Sequence, residues 1–145
     1  MKISTKGLYA VRLMLCLAQH DSTGPASLKD VSGALGISKK YLEQIVPNLV
    51  SAGLVRSSRG PAGGYWLARP ARDITVYDVL IVTESTMAPT SCLAGDELDC
   101  NFPETCMELD VWRGLQRVIT EYLSGISLQD IVDKSSAVAA DSYSI

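Results

Sequence analysis

Residues 27–68, SLKDVSGALGISKKYLEQIVPNLVSAGLVRSSRGPAGGYWLA, constrain the fold of this 145-residue chain more than any other stretch. Ser27 followed by Asp30 is a helix-start signal, and Leu28, Val31 and Leu35 then recur at helical spacing before Gly36 interrupts the pattern. Ile37 supplies an apolar turn residue, and Ser38 can cap a second helix. In that helix Leu42, Ile45 and Leu49 share one face, while Lys39, Lys40, Glu43, Gln44 and Asn48 fall on the other. Pro47 cannot donate to the Glu43 carbonyl, so a kink is expected there. Gly53 ends the second helix, and "LVRSS" (54–58) and "GYWLA" (64–68) read as short strands joined by "RGPAG". A short helix, a glycine turn, a polar-faced helix and a hairpin with a basic, glycine-rich tip form, in that order, a helix-turn-helix with a wing.

The charge distribution supports that reading. Residues 1–72 carry ten Lys or Arg against three acids, a balance of +7, whereas residues 73–145 carry three against thirteen, a balance of −10. The basic half suits a polyanion, and the acidic half implies a different task. Duplex DNA is the expected partner, with Gln44 pairing bidentately with adenine. Ser38, Lys39, Lys40 and Tyr41 are placed for phosphates and nearby base edges. Glu43 can accept from cytosine or repel DNA until it is neutralised or reoriented, and Arg59 with Gly60 forms the wing contact.

The flanking segments read as helices. One starts at Thr5 and runs to about His20, apolar nearly all round; "DSTGP" (21–25) ends it. Thr75 and Asp78 start another that runs through Glu84. Thr105 and Glu108 form a capping-box pattern ahead of a long helix to about Leu123, striped by Leu109, Trp112, Leu115, Ile119 and Tyr122. So wide a stripe exceeds what one small domain can cover, and a homodimer joined through this helix is expected. Ser127 and Asp130 start a short last helix, "LQDIVDK", and residues 135–145 show no pattern and are expected to be flexible. The expected organisation is a DNA-binding domain at 1–72, then residues 73–134 with a linker helix, a cysteine loop at 91–106 and a dimerisation helix at 105–124. The fold class is mainly α with a small β-hairpin wing.

Other classes fit poorly. No run of about 18 apolar residues is present. Arg12 interrupts the one N-terminal stretch resembling a secretory signal, so a cytoplasmic location with reduced thiols is expected. No C-x-x-C motif, Gly-rich cofactor loop or Ser/His/Asp set supports an enzyme, and His20 is the single histidine.

"MKISTKGLYAV", "SKKYLEQIV", "RGPAGGY" and "ITVYDV", followed by a three-cysteine loop and the spaced residues Trp112, Gly114, Leu115 and Ile119, resemble the bacterial winged-helix regulators of the IscR/RirA/NsrR/CymR type. The resemblance spans roughly residues 1–134. It implies a homodimeric transcription regulator in which Cys92, Cys100 and Cys106 hold an iron–sulfur cluster of the 2Fe-2S or 4Fe-4S type. The histidine that IscR-type proteins place three residues after the last cysteine is Leu109 here, and the acidic residue that NsrR-like proteins bring from the first helix is Leu8. The C-x7-C-x5-C spacing is closer to RirA.

Three soft thiolates leave one iron position for a weaker ligand. Glu108, Asp110 and Asp99 are candidates, as are a group from the partner subunit and an exogenous small molecule. Zinc held by three cysteines and an acid, a metal-free thiol switch, structural cysteines, and control by a partner protein remain alternatives, as does an iron–sulfur carrier.

Overall fold

The computed structural model describes residues 1–142 and is mainly helical. Its elements are α1 (Thr5–Gln19), α2 (Leu28–Leu35), α3 (Lys39–Ser51), β1 (Val55–Ser58), β2 (Gly64–Leu67), α4 (Val76–Thr83), α5 (Leu109–Ser124) and α6 (Leu128–Ser142), with short 3-10 turns at Ala71–Asp73, Ser91–Leu93 and Pro103–Thr105. The strands form one antiparallel hairpin, with Val55 opposite Leu67 and Ser58 opposite Gly64. This is the expected mainly α fold with a hairpin wing.

Local chemistry sets most boundaries. The Ser27 hydroxyl accepts from the Asp30 N–H at 3.1 Å, and Gly36 closes α2 in the left-handed region at φ 66°. Ser38 caps α3 through the Tyr41 N–H at 3.2 Å, and Pro47 lies within α3 without ending it. Thr75 and Asp78 form a reciprocal capping box at α4.

Leu13, Met14, Leu42, Ile45, Leu49, Ile74, Val79 and Leu128 are sealed from solvent in one core. The wing is tied to it by a bridge in which Ala26 and Tyr65 exchange backbone hydrogen bonds, both 2.9 Å. A second bridge joins the entries of α4 and α6: the Val76 N–H donates to the Ile126 carbonyl and the Leu128 N–H to the Ile74 carbonyl, both at 2.9 Å. Leu128 thereby turns α6 back against α1. Leu128→Ala is expected to destabilise the protein by about 2–5 kcal/mol, because the backbone bridge holds the site open and prevents collapse. Urea denaturation should show a lower midpoint at unchanged slope.

Four local expectations differ from the structure. Ser4, rather than Thr5, caps α1: its hydroxyl accepts from the Gly7 N–H at 3.0 Å and donates to Glu84 Oε1 at 2.6 Å. The box at Thr105 and Glu108 does not form. Thr105 bonds back to the Phe102 carbonyl at 3.3 Å, and Glu108 sits at the N-cap of α5 without a side-chain cap. The last helix extends past Lys134 through Ser142, well beyond the short "LQDIVDK" helix expected; residues 143–145 lie outside the described residues. The α5 stripe resolves into two. Leu109 is buried and Trp112 and Ile119 are half-buried on the side packed toward α4, whereas Val111, Leu115, Val118 and Tyr122 stand exposed on another side.

Candidate functional site

The first turns of α3 project a polar face. Ser38, Lys39, Lys40, Glu43 and Gln44 are exposed, and Tyr41 is half-buried. Lys39 Nζ lies 3.7 Å from Glu43 Oε1, an exposed i,i+4 pair worth little in water, so Lys39 can exchange Glu43 for a phosphate at small cost. Leu42, Ile45, Val46 and Leu49 anchor the opposite side of the helix in the core. A rigid helix thus presents its polar face from a fixed base.

Arg59 and Gly60 are exposed at the tip between the strands, and Gly60 adopts φ 102°, a conformation that favours glycine. Gly64 has φ 154°, and a Cβ there would stand 2.7 Å from the Ala26 carbonyl oxygen. Its missing side chain lets the strand reach Ala26, and this sets the wing beside α2. The result is an open cleft of about 320 Å³ between α2, α3 and the wing, lined in part by Lys29, Lys39, Glu43, Gly60 and Tyr65. Lys29 was not among the residues the sequence pointed to. It reads as an ordinary solvated residue of a first helical turn until the Ala26–Tyr65 bridge brings the wing to it.

The cysteine segment connects α4 to α5. Cys92, Cys100 and Cys106 are all free thiols and half-buried, whereas Cys16 is buried in the core, where burial pushes its thiol pKa up. Thr90 Oγ1 lies 3.2 Å from Cys92 Sγ, and the Asp99 N–H donates to the Cys92 carbonyl at 3.1 Å, folding residues 92–99 into a closed turn. Cys92 shares a cleft of about 230 Å³ with Arg113 and Gln116 of α5. Desolvation raises the Cys106 pKa. The Glu108 charge and Cys100 act in the same direction, while the Glu108 backbone N–H opposes them.

These interactions place Glu108 beside Cys106, with its carboxylate free of the capping role that the sequence pattern implied. Asp110 is exposed in the first turn of α5, and Asp99 is exposed within the segment. Among the described residues no three His, Cys, Asp or Glu side chains are already gathered as a metal site. The donor set nevertheless suits an iron–sulfur cluster: three reduced thiols on one loop, with a carboxylate adjoining the last of them. Seating a cluster requires the segment to wrap around it.

The family described as "Rrf2: Iron-dependent Transcriptional regulator" matches residues 3–134. The chain belongs to the Rrf2 family. It is 42% identical over 132 residues to the HTH-type transcriptional regulator IscR of Xenorhabdus nematophila, covering 91% of this chain and 79% of that protein. Among solved structures, IscR of T. potens superposes with a TM-score of 0.72 at 40% identity, covering 93% of this chain and 88% of that one. CymR, the global cysteine regulator of B. subtilis, superposes with a TM-score of 0.76 at 34% identity, covering 92% and 98%. The Rrf2 relatives are transcriptional regulators rather than enzymes. The winged-helix fold and DNA-binding regulation therefore apply to this chain. Among the described residues, no helix is long and apolar enough to cross a membrane.

Proposed function

We propose that this chain is a cytoplasmic, homodimeric repressor that reads a pseudo-palindromic operator with α3 and its wing, and that a cluster held by Cys92, Cys100 and Cys106 controls it. The observation that carries the DNA-reading part is the exposed face from Ser38 to Gln44, held on a core-anchored helix beside the exposed Arg59–Gly60 tip. Two such heads in one dimer would enter successive major grooves about one helical turn apart. Gln44 reads a base edge. Ser38, Lys39, Lys40 and Tyr41 hold phosphates and nearby edges, Glu43 discriminates against wrong partners, and Arg59 with Gly60 contacts the backbone or a narrow minor groove.

The exposed stripe of Val111, Leu115, Val118 and Tyr122 supports the dimer, since it repeats at helical spacing along α5 and one protomer leaves it uncovered. Glu108 is the favoured fourth ligand, with Asp110 and Asp99 as alternatives. When bound, such a cluster offers an incompletely thiolated iron that oxygen, nitric oxide or iron shortage can remove. Ordering the segment acts on the DNA head by a short route. Glu84, the first residue after α4, accepts from the Ser4 N–H at 3.2 Å and from the Ser4 hydroxyl, and so clasps the start of α1.

Arg59→Ala is expected to weaken binding to all duplexes alike, by roughly tenfold, and to lower the salt slope by about one for each phosphate it no longer neutralises. Gln44→Ala is expected to relax preference at one base position, by about 1–3 kcal/mol of discrimination. Binding to a duplex library selected by the parent, measured for both variants, checks this. Unchanged affinity for Arg59→Ala removes the wing assignment.

A second reading is a metal-free thiol switch, or control by a partner protein, in a regulator of sulfur metabolism. The superposition on CymR favours it. Regulation that survives replacement of all three loop cysteines would select the partner-controlled form.

A further inference from the structure

Helix α1 carries an exposed cation that lies outside the helix-turn-helix and wing. Arg12 is exposed on α1, and its guanidinium carbon lies 5.6 Å from the centroid of the Tyr9 ring. Tyr9 in turn packs edge-on against Tyr41, with ring centroids 5.2 Å apart and planes at 79°. Both rings are half-buried against the core. Tyr41 occupies the first turn of α3, next to Ser38, Lys39 and Lys40. The three side chains form a continuous file from the surface of α1 to the start of α3. The guanidinium face is occupied by the ring, which holds the group in place while its N–H edges stay available to solvent. Among the described residues, no carboxylate is shown paired with Arg12.

We propose that Arg12 is a DNA phosphate contact outside the helix-turn-helix, and that Tyr9 is the positioning residue that aims it and holds the first turn of α3. This rests on the DNA-reading function of α3. A planar fork with free N–H edges matches a phosphodiester oxygen pair, whereas a base edge calls for a group able to reach into the groove. Arg12 therefore adds affinity and register without sequence preference. In a dimer two such contacts, one at each half-site, extend the footprint beyond the bases read by Gln44.

The test uses the full-length dimer and a duplex that the parent itself selects from a randomised pool, with affinity measured across a series of salt concentrations. Arg12→Gln keeps the stem and removes the charge. It is expected to lower the slope of log affinity against log salt by about two per dimer, and affinity by roughly ten- to thirty-fold at about 0.15 M salt. Its sequence preference should match the parent's. Arg12→Lys should keep the slope. Tyr9→Leu should also keep the slope but lose affinity several-fold, because the charge remains while its platform is gone. A parent that binds steeply with salt while Arg12→Gln matches it in slope and affinity overturns the proposal and leaves the DNA-reading function standing. A parent that binds no duplex in any metal state removes both.

Discussion

Leu115→Glu on α5 is expected to yield a folded monomer at micromolar concentration and to lower operator affinity by more than about a hundredfold, because joining two reading heads raises affinity by roughly 10²–10⁴ with the same set of DNA-facing groups. Val111, Leu115, Val118 and Tyr122 are 61%, 42%, 57% and 67% exposed, and they lie at spacings of four, three and four residues. That spacing matches the a/d seam along which helices pair in coiled coils, as the proposed dimer requires. A two-fold axis would bring the stripe against its own equivalent, so one added carboxylate places two like charges in the buried centre. The protomer fold should survive, since Leu115 contributes nothing to the sealed core. Arg117→Gln, on a side of the helix turned away from the stripe, should leave the dimer intact. Sedimentation velocity and duplex binding on the same samples decide the matter. A Leu115→Glu dimer with parental affinity would mean that another surface joins the protomers.

Cys92→Ser, Cys100→Ser and Cys106→Ser, each prepared anaerobically, are expected to retain less than about a tenth of the parent's bound iron and acid-labile sulfide, since even a displaced outer-shell partner costs roughly 10–100-fold in metal affinity. Hydroxyl oxygen is a harder, less acidic donor than sulfur and does not replace thiolate on iron. Cys16→Ala should retain the parental content, because Cys16 is a core residue of α1, 5% exposed. Iron without sulfide, or zinc in place of both, would direct the three cysteines to a mononuclear site. Parental iron and sulfide in any one loop variant would remove that cysteine from the ligand set. Equal loss in Cys16→Ala would mean that folding, rather than ligation, governs the content.

The elements that could be read from the sequence are those whose signals are local. Ser27, Ser38 and the Thr75–Asp78 pair act within three residues of themselves, and Gly36 ends α2 through its own backbone. The hairpin register follows from the short "RGPAG" connection. The sequence misleads where distant residues decide. Ser4 becomes the cap of α1 because Glu84, eighty positions away, receives its hydroxyl and N–H. Thr105 and Glu108 have capping-box spacing, but the turn at Pro103–Thr105 directs Thr105 back to Phe102. The end of α6 is hidden because residues 135–142 carry no apolar stripe. Its Ala137, Ala139 and Ala140 favour helix by propensity, without periodicity. For the site, residue types and order along α3 were legible, and so was Glu108 two positions after Cys106, while the neighbourhood of Lys29 with the wing depends on tertiary structure.

The most direct test of cluster-controlled DNA reading is the affinity of one anaerobic preparation for its selected duplex, measured before and after reconstitution with iron and sulfide. The expected result is a change of at least about tenfold, roughly 1.4 kcal/mol, within the 1–3 kcal/mol typical of coupling between two sites on one protein. The same change should be absent in Cys106→Ser. Equal affinity in both states, with iron and sulfide verified on the protein, would contradict control by the cluster and turn attention to the partner-controlled reading.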